Sequence, residues 1–365
     1  MAAAAAALAG ADATRGVSGE VRLLVVLATW GPEPVPATAA RAAVAETTAY
    51  VAEASFGRVQ LRAEVTPWLR AYAAPLPSCD LAAVERDARS AAAAAGYDAS
   101  AYTQLAFVFP RISCPWAGAY FENDIWANGD FDRHLLAHEL GHVWGVSEEG
   151  PTWSCDGAGC SVENYGSPYS VMGHGFGDFN AFEKATFEWL GDVAEPRAGA
   201  PLTLGAIDRP STHAQALRVV THGDEYWLEY RPPDPRWRPG RDQASDGIIV
   251  HAGHNGLGTR PQRFPQHNLL LLDPAGRGRP SIQAGETFAV PGAFSVTVAA
   301  ADPGSPTCAF AGSTGSSRGH HACWLRRWSP DGGRSPAGLA PMRRAAAWSA
   351  TRCGWTGDGR GSCVG

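Results

Sequence analysis

The chain has 365 residues, of which 45% are hydrophobic, and a formal net charge of −6 at pH 7. A chain of this length and apolar content can bury a substantial core, which excludes a protein that is disordered throughout. The negative charge gives no general signal for nucleic-acid binding, and no apolar stretch reaches the roughly 18 residues of a membrane span.

Residues 1–19 form a candidate leader. The stretch 1–10 is alanine-rich and apolar and ends in small residues. It lacks the basic segment that opens a signal peptide and is short for one, so it does not decide the compartment by itself.

From residue 20 the hydrophobic pattern alternates between strands and helices. Apolar runs at 20–29, 58–65 and 104–109 predict buried strands, and the segments 37–54 and 80–95 predict helices, with Asp80 as the N-cap of the second. This alternation predicts a mixed, largely parallel sheet with helices packed on it.

The segment that decides the chemistry is a helix predicted at 132–144, which contains the pattern H-E-x-x-H. His138 and His142 are four residues apart, so on a helix they share a face and can hold one metal ion between them. Glu139 can then take a proton from a water on that ion. The pattern predicts a hydrolase with Zn²⁺ as its cofactor, although a surface helix with solvated histidines would show the same spacing.

Two features after this helix favour the metal site. Gly145 follows His142 by three residues and can adopt the left-handed conformation that ends a helix. Met172, within the segment 169–173, lies where a methionine turn would support the metal from below.

The third ligand stays open at this stage. Glu148 occupies the slot in which the extended motif has a histidine, and a carboxylate can ligate zinc at the cost of a less electrophilic metal. His174 is a second candidate, either as a ligand or as a donor to the oxyanion formed during attack. Glu149 and Asp156 are further alternatives, and so is a site that has lost its activity.

Around these residues the chain resembles the gametolysin-like metallopeptidases, which are metzincins that include an algal enzyme digesting cell-wall glycoproteins. The matching segments are 114–118 and 125–129 before the zinc helix, 165–173 at the methionine turn, and 179–191 after it. The resemblance extends over residues 20–300. The matching positions are frequent within residues 104–191 and sparse in the rest of that range.

This resemblance implies a secreted zinc endopeptidase that hydrolyses proteins or glycoproteins of an extracellular matrix or cell wall. It implies that His138 and His142 are ligands, Glu139 is the base and Met172 supports the site; the third ligand does not carry over. We expect a monomer without a nucleic-acid partner or a membrane span. The alternative function is a catalytically lapsed metzincin that binds cell-wall polysaccharide.

The segment 119–127 is extended in character, and in metzincins the strand at this place borders the cleft. A peptide substrate can pair with such a strand through main-chain hydrogen bonds. Four aromatic residues near it are candidates for the cleft lining or, equally, for the core: Trp116, Tyr120, Phe121 and Trp126.

The predicted fold class is α+β, with a metzincin-like catalytic domain at 20–195 followed by a small all-β domain at 196–303. Short apolar runs separated by Pro, Gly and Asp turns indicate a sandwich-like second domain, in which His251 and His254 are expected not to bind metal. The tail at 304–365 is rich in Cys, Arg and Gly and is either disordered or a small disulfide-stapled module.

Eight cysteines without paired C-x-x-C units indicate disulfides in an oxidising compartment rather than structural zinc modules. Cys79 with Cys114 and Cys155 with Cys160 are the pairings we consider. Spacing alone does not determine the connectivity.

Overall fold

The computed structural model describes residues 16–146, 149–155, 160–175, 177–197, 199–221, 224–232, 247–254, 270–273, 280–290, 292–299, 307–312, 354–355 and 361–362. The fold is mixed α/β, with several sheets and few helices in this part of the chain. None of the helices described is long and apolar enough to cross a membrane.

The chain begins with strand–helix alternation and continues mostly as strands. The helices are α1 (Ala37–Ala54), α2 (Leu81–Ala94), α3 (Arg133–Val143) and α4 (Ala181–Thr186), with a 3-10 turn at Ala99–Ala101. The strands are β1 (Gly19–Thr29), β2 (Val59–Val65), β3 (Leu69–Arg70), β4 (Gln104–Phe109), β5 (Gly118–Phe121), β6 (Asp124–Asn128), β7 (Thr152–Cys155), β8 (Cys160–Glu163), β9 (Val193–Ala194), β10 (Pro201–Thr203), β11 (Ala216–Thr221), β12 (Asp224–Arg231), β13 (Gly247–His254), β14 (Leu270–Asp273), β15 (Thr287–Val290), β16 (Phe294–Val298), β17 (Thr307–Gly312), β18 (Gly354–Trp355) and β19 (Gly361–Ser362).

The first sheet has the strand order β2-β1-β4-β6-β5, with β3 beside the end of β1. Strands β1, β2, β4 and β6 run parallel, and β5 lies antiparallel to β6 at the edge. Successive residues of β1 point to opposite faces, so Leu23 and Val25 pack in the core beneath α1 and α3, whereas Leu24 and Val26 pack on the α2 side. Because both faces are covered, β1 is apolar at nearly every position. The predicted parallel sheet with packed helices is confirmed.

Local signals place the helices where the sequence predicts them. The Asp80 side chain accepts from Ala83 N–H at 3.1 Å, which confirms it as the N-cap of α2. Asp132 caps α3 in the same way by accepting from Leu135 N–H at 2.8 Å. The segment predicted as extended at 119–127 is a hairpin, in which β5 and β6 are joined at Glu122 with a φ of 55°.

A second sheet has seven strands in the described residues, in the order β8-β7-β14-β13-β12-β11-β9. Strands β7 and β8 come from the segment between α3 and Met172, and β7 pairs in parallel with β14. This sheet therefore combines strands from both sides of the predicted domain boundary at 195/196.

A third sheet of four described strands, β10-β17-β16-β15, shares a core with the second through contacts such as Tyr226 with Phe294 at 5.2 Å between ring centroids. Its strand β17 belongs to the segment predicted as a tail. Apart from β17 and the short pair β18–β19, residues 304–365 lie outside the described part of the chain.

The structure contains the Cys79–Cys114 disulfide, which joins the loop before α2 to the loop before β5. Cys155 and Cys160 are direct register partners across β7 and β8. Their side chains lie outside what the structure describes.

Candidate metal centre

The backbone around α3 sets the proton positions of both imidazoles. His138 Nδ1 lies 3.1 Å from the Val171 carbonyl oxygen, and His142 Nδ1 lies 2.7 Å from that of Val146. A carbonyl can only accept, so each ring donates from Nδ1, and a neutral ring then presents a lone pair at Nε2. Gly145, with a φ of +109°, ends the helix as predicted and turns the chain so that Val146 reaches His142.

Three lone-pair atoms meet at one point beside the helix. The two Nε2 atoms of His138 and His142 are 3.1 Å apart, and Glu149 Oε2 lies 3.2 Å from the first and 3.5 Å from the second. Glu149 Oε2 is buried and makes no hydrogen bond with good geometry. Acceptors this close repel one another unless a positive charge lies between them, so this group could hold a metal ion.

The electrostatics of the group favour a cation at this point. Burial acts to raise the pKa of Glu149, but its contacts with the two imidazoles outweigh burial and lower that pKa to about 2. Burial acts to lower the pKa of His142, and the Glu149 carboxylate reverses this and raises it. The carboxylate is therefore anionic and attracts positive charge to the space between the rings.

Glu139 lies next to this group but takes no part in it. Its side chain is buried, and Oε2 has no hydrogen-bond partner in the part of the chain that the structure describes. Burial raises the pKa of Glu139 to about 7, against the opposing effect of His138 and His142. A carboxyl group that titrates near neutral pH can both accept and return a proton.

Gly118 on β5 leaves the space that the Glu139 carboxylate fills. A Cβ at this position would lie 2.3 Å from Glu139 Oε1 and 3.1 Å from Leu135 Cγ. Only a residue without a side chain fits here without moving the carboxylate.

Met172 packs against α3 between the two histidines. The side chain is fully buried, and a Cβ at Gly141 would lie 2.5 Å from its Sδ atom. The glycine between the two ligand positions thus lets the sulfur approach the helix backbone.

The loop that carries Glu149 packs against the segment that contains Met172, residues 167–173. Gly150 has a φ of +50°, and a Cβ there would lie 2.4 Å from Gly173 N. Its carbonyl accepts from Ser167 N–H at 2.8 Å. Glu149 is therefore brought to the histidines by contacts with residues 167–173, which are distant from it in sequence.

Buried charged side chains of β12 connect residues 179–181, which follow Met172, to the seven-stranded sheet. The Glu229 carboxylate accepts from Ala181 N–H at the start of α4, and Arg231 donates to Glu229 at 2.7 Å and to the Phe179 carbonyl at 3.2 Å. Phe179 in turn packs beneath α3, since a Cβ at Gly141 would lie 3.0 Å from its ring. Strand β12 thus supports the floor of the candidate site.

Of the four aromatic residues predicted near the cleft, Tyr120 touches the candidate ligands. Its ring stacks on His142 with centroids 4.8 Å apart and an interplanar angle of 18°. Trp126 packs on Phe107 in the core on the α2 side of the sheet, and Phe121 packs near Trp126. Successive side chains of a strand point to opposite faces of the sheet. This is why Tyr120 contacts His142 whereas its neighbour Phe121 packs near Trp126.

The predicted site residues divide into three groups. His138, His142 and Glu139 lie together, as their spacing predicts. Glu148 lies outside the described residues, and the carboxylate that the structure places beside the histidines belongs to its neighbour Glu149. His174 is exposed, and its Nδ1 lies 2.8 Å from the Tyr165 carbonyl oxygen rather than in the ligand group.

Sequence reasoning missed the part played by Tyr165, whose ring stacks on His138 with centroids 5.8 Å apart. The residue follows strand β8 and precedes Met172 by seven positions. A single tyrosine follows no spacing rule that would have singled it out.

No protein-family model and no curated protein match this chain. Among solved structures, one similar chain is described as "Structure of a chaperone-substrate complex", with 14% identity and a TM-score of 0.30. The match covers 43% of this chain and 30% of that chain. A likeness this weak carries no argument about fold or function.

Proposed function

We propose that this protein is a secreted zinc-dependent endopeptidase of the metzincin type, acting on proteins or glycoproteins of an extracellular matrix or cell wall. One observation carries the proposal: His138 Nε2, His142 Nε2 and Glu149 Oε2 converge within 3.1–3.5 Å beside the buried carboxyl group of Glu139.

The donor set and its spacing support zinc as the metal. Two imidazoles and one carboxylate form a known catalytic zinc set. Ligand atoms bonded at about 2.0–2.1 Å in a tetrahedron lie about 3.3 Å from one another. The three separations here are 3.1, 3.2 and 3.5 Å. Three protein ligands leave a fourth position for water or substrate.

The mechanism divides between the metal and the side chains of this chain. When bound, zinc would act as a Lewis acid that activates a water and polarises the scissile carbonyl. Glu139 accepts the water proton on its unpartnered Oε2 and returns it to the leaving amine, which its pKa of about 7 allows in both directions. The Val171 and Val146 carbonyls hold the imidazole rings in the tautomer that ligation needs.

An extended peptide fits the edge of the first sheet. Strand β5 lies at that edge, so its outward backbone groups can pair with a substrate strand. Gly118 and Tyr120 of the same strand lie against Glu139 and His142. A peptide paired with β5 would therefore pass beside the proposed base and one proposed ligand.

The proposal includes two domains, of which the first is metzincin-like, and an oxidising compartment for the protein. A parallel sheet with β5 at its edge, the H-E-x-x-H helix and Met172 beneath it support a metzincin-like catalytic domain. The strands β10–β17 support a second, all-β domain, with β7, β8 and β9 of the preceding segment joined to its seven-stranded sheet. The Cys79–Cys114 disulfide supports an oxidising compartment. The matrix or cell-wall substrate rests on the sequence resemblance alone.

The test combines metal content with proteolysis on the purified protein. We expect one zinc per chain and cleavage of casein or gelatin that a chelator abolishes and added zinc restores. Glu139→Ala should keep the zinc and lose about 100-fold or more of the cleavage rate. Glu46→Ala, at an exposed position of α1, is the matched control and should retain both properties.

Two results would contradict the proposal. Cleavage by Glu139→Ala at the wild-type rate would remove the assigned base, and a wild-type protein without zinc would remove the site. Zinc binding without any cleavage would instead favour the lapsed metzincin that binds polysaccharide.

A further inference from the structure

Tyr165 adopts a backbone conformation that side-chain-bearing residues rarely take. It follows the β7–β8 hairpin and has a φ of +58°. A residue in this left-handed region is kept there by its surroundings, and such residues cluster at functional sites. The residue is 47% exposed, so it lies at the rim of the candidate centre rather than in the core.

Tyr165 lies against Glu149 at two points. Its backbone N–H donates to the Glu149 carbonyl at 2.9 Å. Its hydroxyl lies near the Glu149 carboxylate, and burial together with this negative charge raises the pKa of Tyr165. Its ring lies over His138 with an interplanar angle of 28°. One residue thus touches two members of the candidate ligand group.

His174 holds Tyr165 in turn. The Tyr165 carbonyl accepts both from the His174 backbone N–H and from its ring Nδ1, each at 2.8 Å. The ring and the backbone of His174 therefore fix the same oxygen atom. The two hydrogen bonds stabilise Tyr165 in its left-handed conformation and leave its hydroxyl directed at Glu149.

Glu149 needs such support more than the two histidines do. The histidines are buried on a helix, with side chains 9% and 5% exposed, whereas the Glu149 side chain is 39% exposed and its residue lies on a loop. A loop carboxylate has several rotamers available, and a hydrogen-bond donor behind a ligand selects the one that binds.

We propose that Tyr165 is a positioning residue for the third metal ligand, Glu149, and that His174 acts on the site only through Tyr165. The inference rests on the proposed function, since it assumes that Glu149 ligates the metal. It assigns to His174 a role behind the ligand instead of a direct role at the oxyanion.

The test compares Tyr165→Phe with wild type. This change removes one hydroxyl and keeps the ring stacked on His138. Zinc affinity is measured by competition with a chromophoric chelator, and coordination geometry by the visible spectrum of the cobalt(II)-substituted protein. We expect zinc affinity to fall about 10- to 100-fold, with an altered cobalt spectrum and unchanged thermal unfolding of the metal-free protein.

Tyr97→Phe is the matched control for metal binding. It removes the hydroxyl of a tyrosine that packs on the α2 side of the first sheet, so zinc affinity and the cobalt spectrum should stay as in wild type. His174→Ala should weaken zinc binding in the same direction as Tyr165→Phe. The double variant should bind about as tightly as Tyr165→Phe alone, because both changes act on the same link.

The outcomes separate this inference from the proposed function. If wild type binds zinc and cleaves casein while Tyr165→Phe matches it in affinity and spectrum, the positioning role is wrong and the peptidase proposal stands. If the two single variants add fully, His174 acts by a separate route and the second half of the inference is overturned. A wild-type protein that binds no zinc overturns both proposals.

Discussion

The Ser170 hydroxyl lies 2.7 and 2.8 Å from the two carboxylate oxygens of Glu183, and this buried pair connects the turn at residues 169–173 to α4. The same hydroxyl accepts from Met172 N–H at 2.9 Å. Between these residues is Val171, whose carbonyl accepts from His138 Nδ1. The ring orientation of one proposed ligand therefore depends on a carboxylate that never approaches the metal position.

Glu183 also completes the N-terminal cap of α4. It accepts from Asn180 N–H at 2.7 Å, while the Asn180 side chain accepts from Glu183 N–H at 2.9 Å. This reciprocal capping box fixes the carboxylate that Ser170 contacts. Helix capping and ligand orientation thus share one side chain.

Replacing Ser170 with Ala should weaken both the fold and the metal site. The change leaves a buried carboxylate and the Met172 N–H without their shared partner, which should lower the free energy of unfolding by about 1–3 kcal/mol. Zinc affinity should fall as well, because the turn that orients His138 loosens. Urea denaturation and chelator competition measure the two effects, with Ser113→Ala, at an exposed position, as the control. Unchanged zinc affinity would show that the turn does not orient the ligand.

The two adjacent glutamates should behave differently. Glu149→Ala removes the carboxylate that lies beside both histidines, so zinc affinity should fall by more than about 100-fold. Glu148→Ala should leave the zinc stoichiometry intact. Equilibrium dialysis with metal analysis on both variants decides between them, and the reverse pattern would restore Glu148 as the third ligand.

Gly118→Ala should impair turnover without releasing metal. The new Cβ would meet Glu139 Oε1 at 2.3 Å and displace the carboxylate, and a misplacement of this size at a reacting group can reduce the rate about 100-fold. Zinc content should stay at the wild-type level. Gly191→Ala is the control, since its nearest neighbour would lie at an ordinary 3.6 Å. Full activity of Gly118→Ala would mean that Glu139 has another accessible position.

His251 should make the protein less stable in mild acid. Burial lowers the pKa of His251 to about 4, and the two charged groups that face it from β12, Glu229 and Arg231, act in opposite directions. Between pH of about 6.5 and 4 the unfolded chain binds a proton that the folded chain does not, so this group lowers stability as the pH falls. Above that window it has no effect, because it is neutral in both states.

The measurement is the free energy of unfolding at pH 7.5 and at pH 5. His251→Leu should lose less stability between these pH values than wild type, by about 2 kcal/mol. His213→Leu changes an exposed histidine and should keep the wild-type pH dependence. Equal losses in His251→Leu and wild type would mean that His251 is already protonated in the folded protein.

The sequence predicts the parts of the site that short-range geometry determines. His138 and His142 share a face because the helical repeat requires it, and Gly145 ends the helix because it can adopt a positive φ. The strands β1 and β4 were equally predictable, since continuous apolar runs fit a sheet that is covered on both faces.

The position of Glu149, the proposed third ligand, could not be predicted in the same way. Glu149 is placed by Gly150 packing against Gly173 and by Tyr165 N–H, and no local repeat encodes contacts between such distant segments.

The four aromatic residues predicted near the cleft show a related limit. Their aromatic side chains indicate contact with other apolar groups but not on which side of the sheet. The pleat of β5 directs Tyr120 towards the candidate ligands and Phe121 away from them.

The parallel pairing of β7 with β14 has a consequence for the chain during its synthesis. The hairpin that follows Glu149 gains its neighbouring strand only when residues 270–273 have left the ribosome. A nascent chain can already contain the H-E-x-x-H helix and residues 165–173, while the hairpin after Glu149 still lacks the strand with which β7 pairs. The candidate centre can therefore complete its contacts with the seven-stranded sheet only after β14 has been made, late in the translation of this chain.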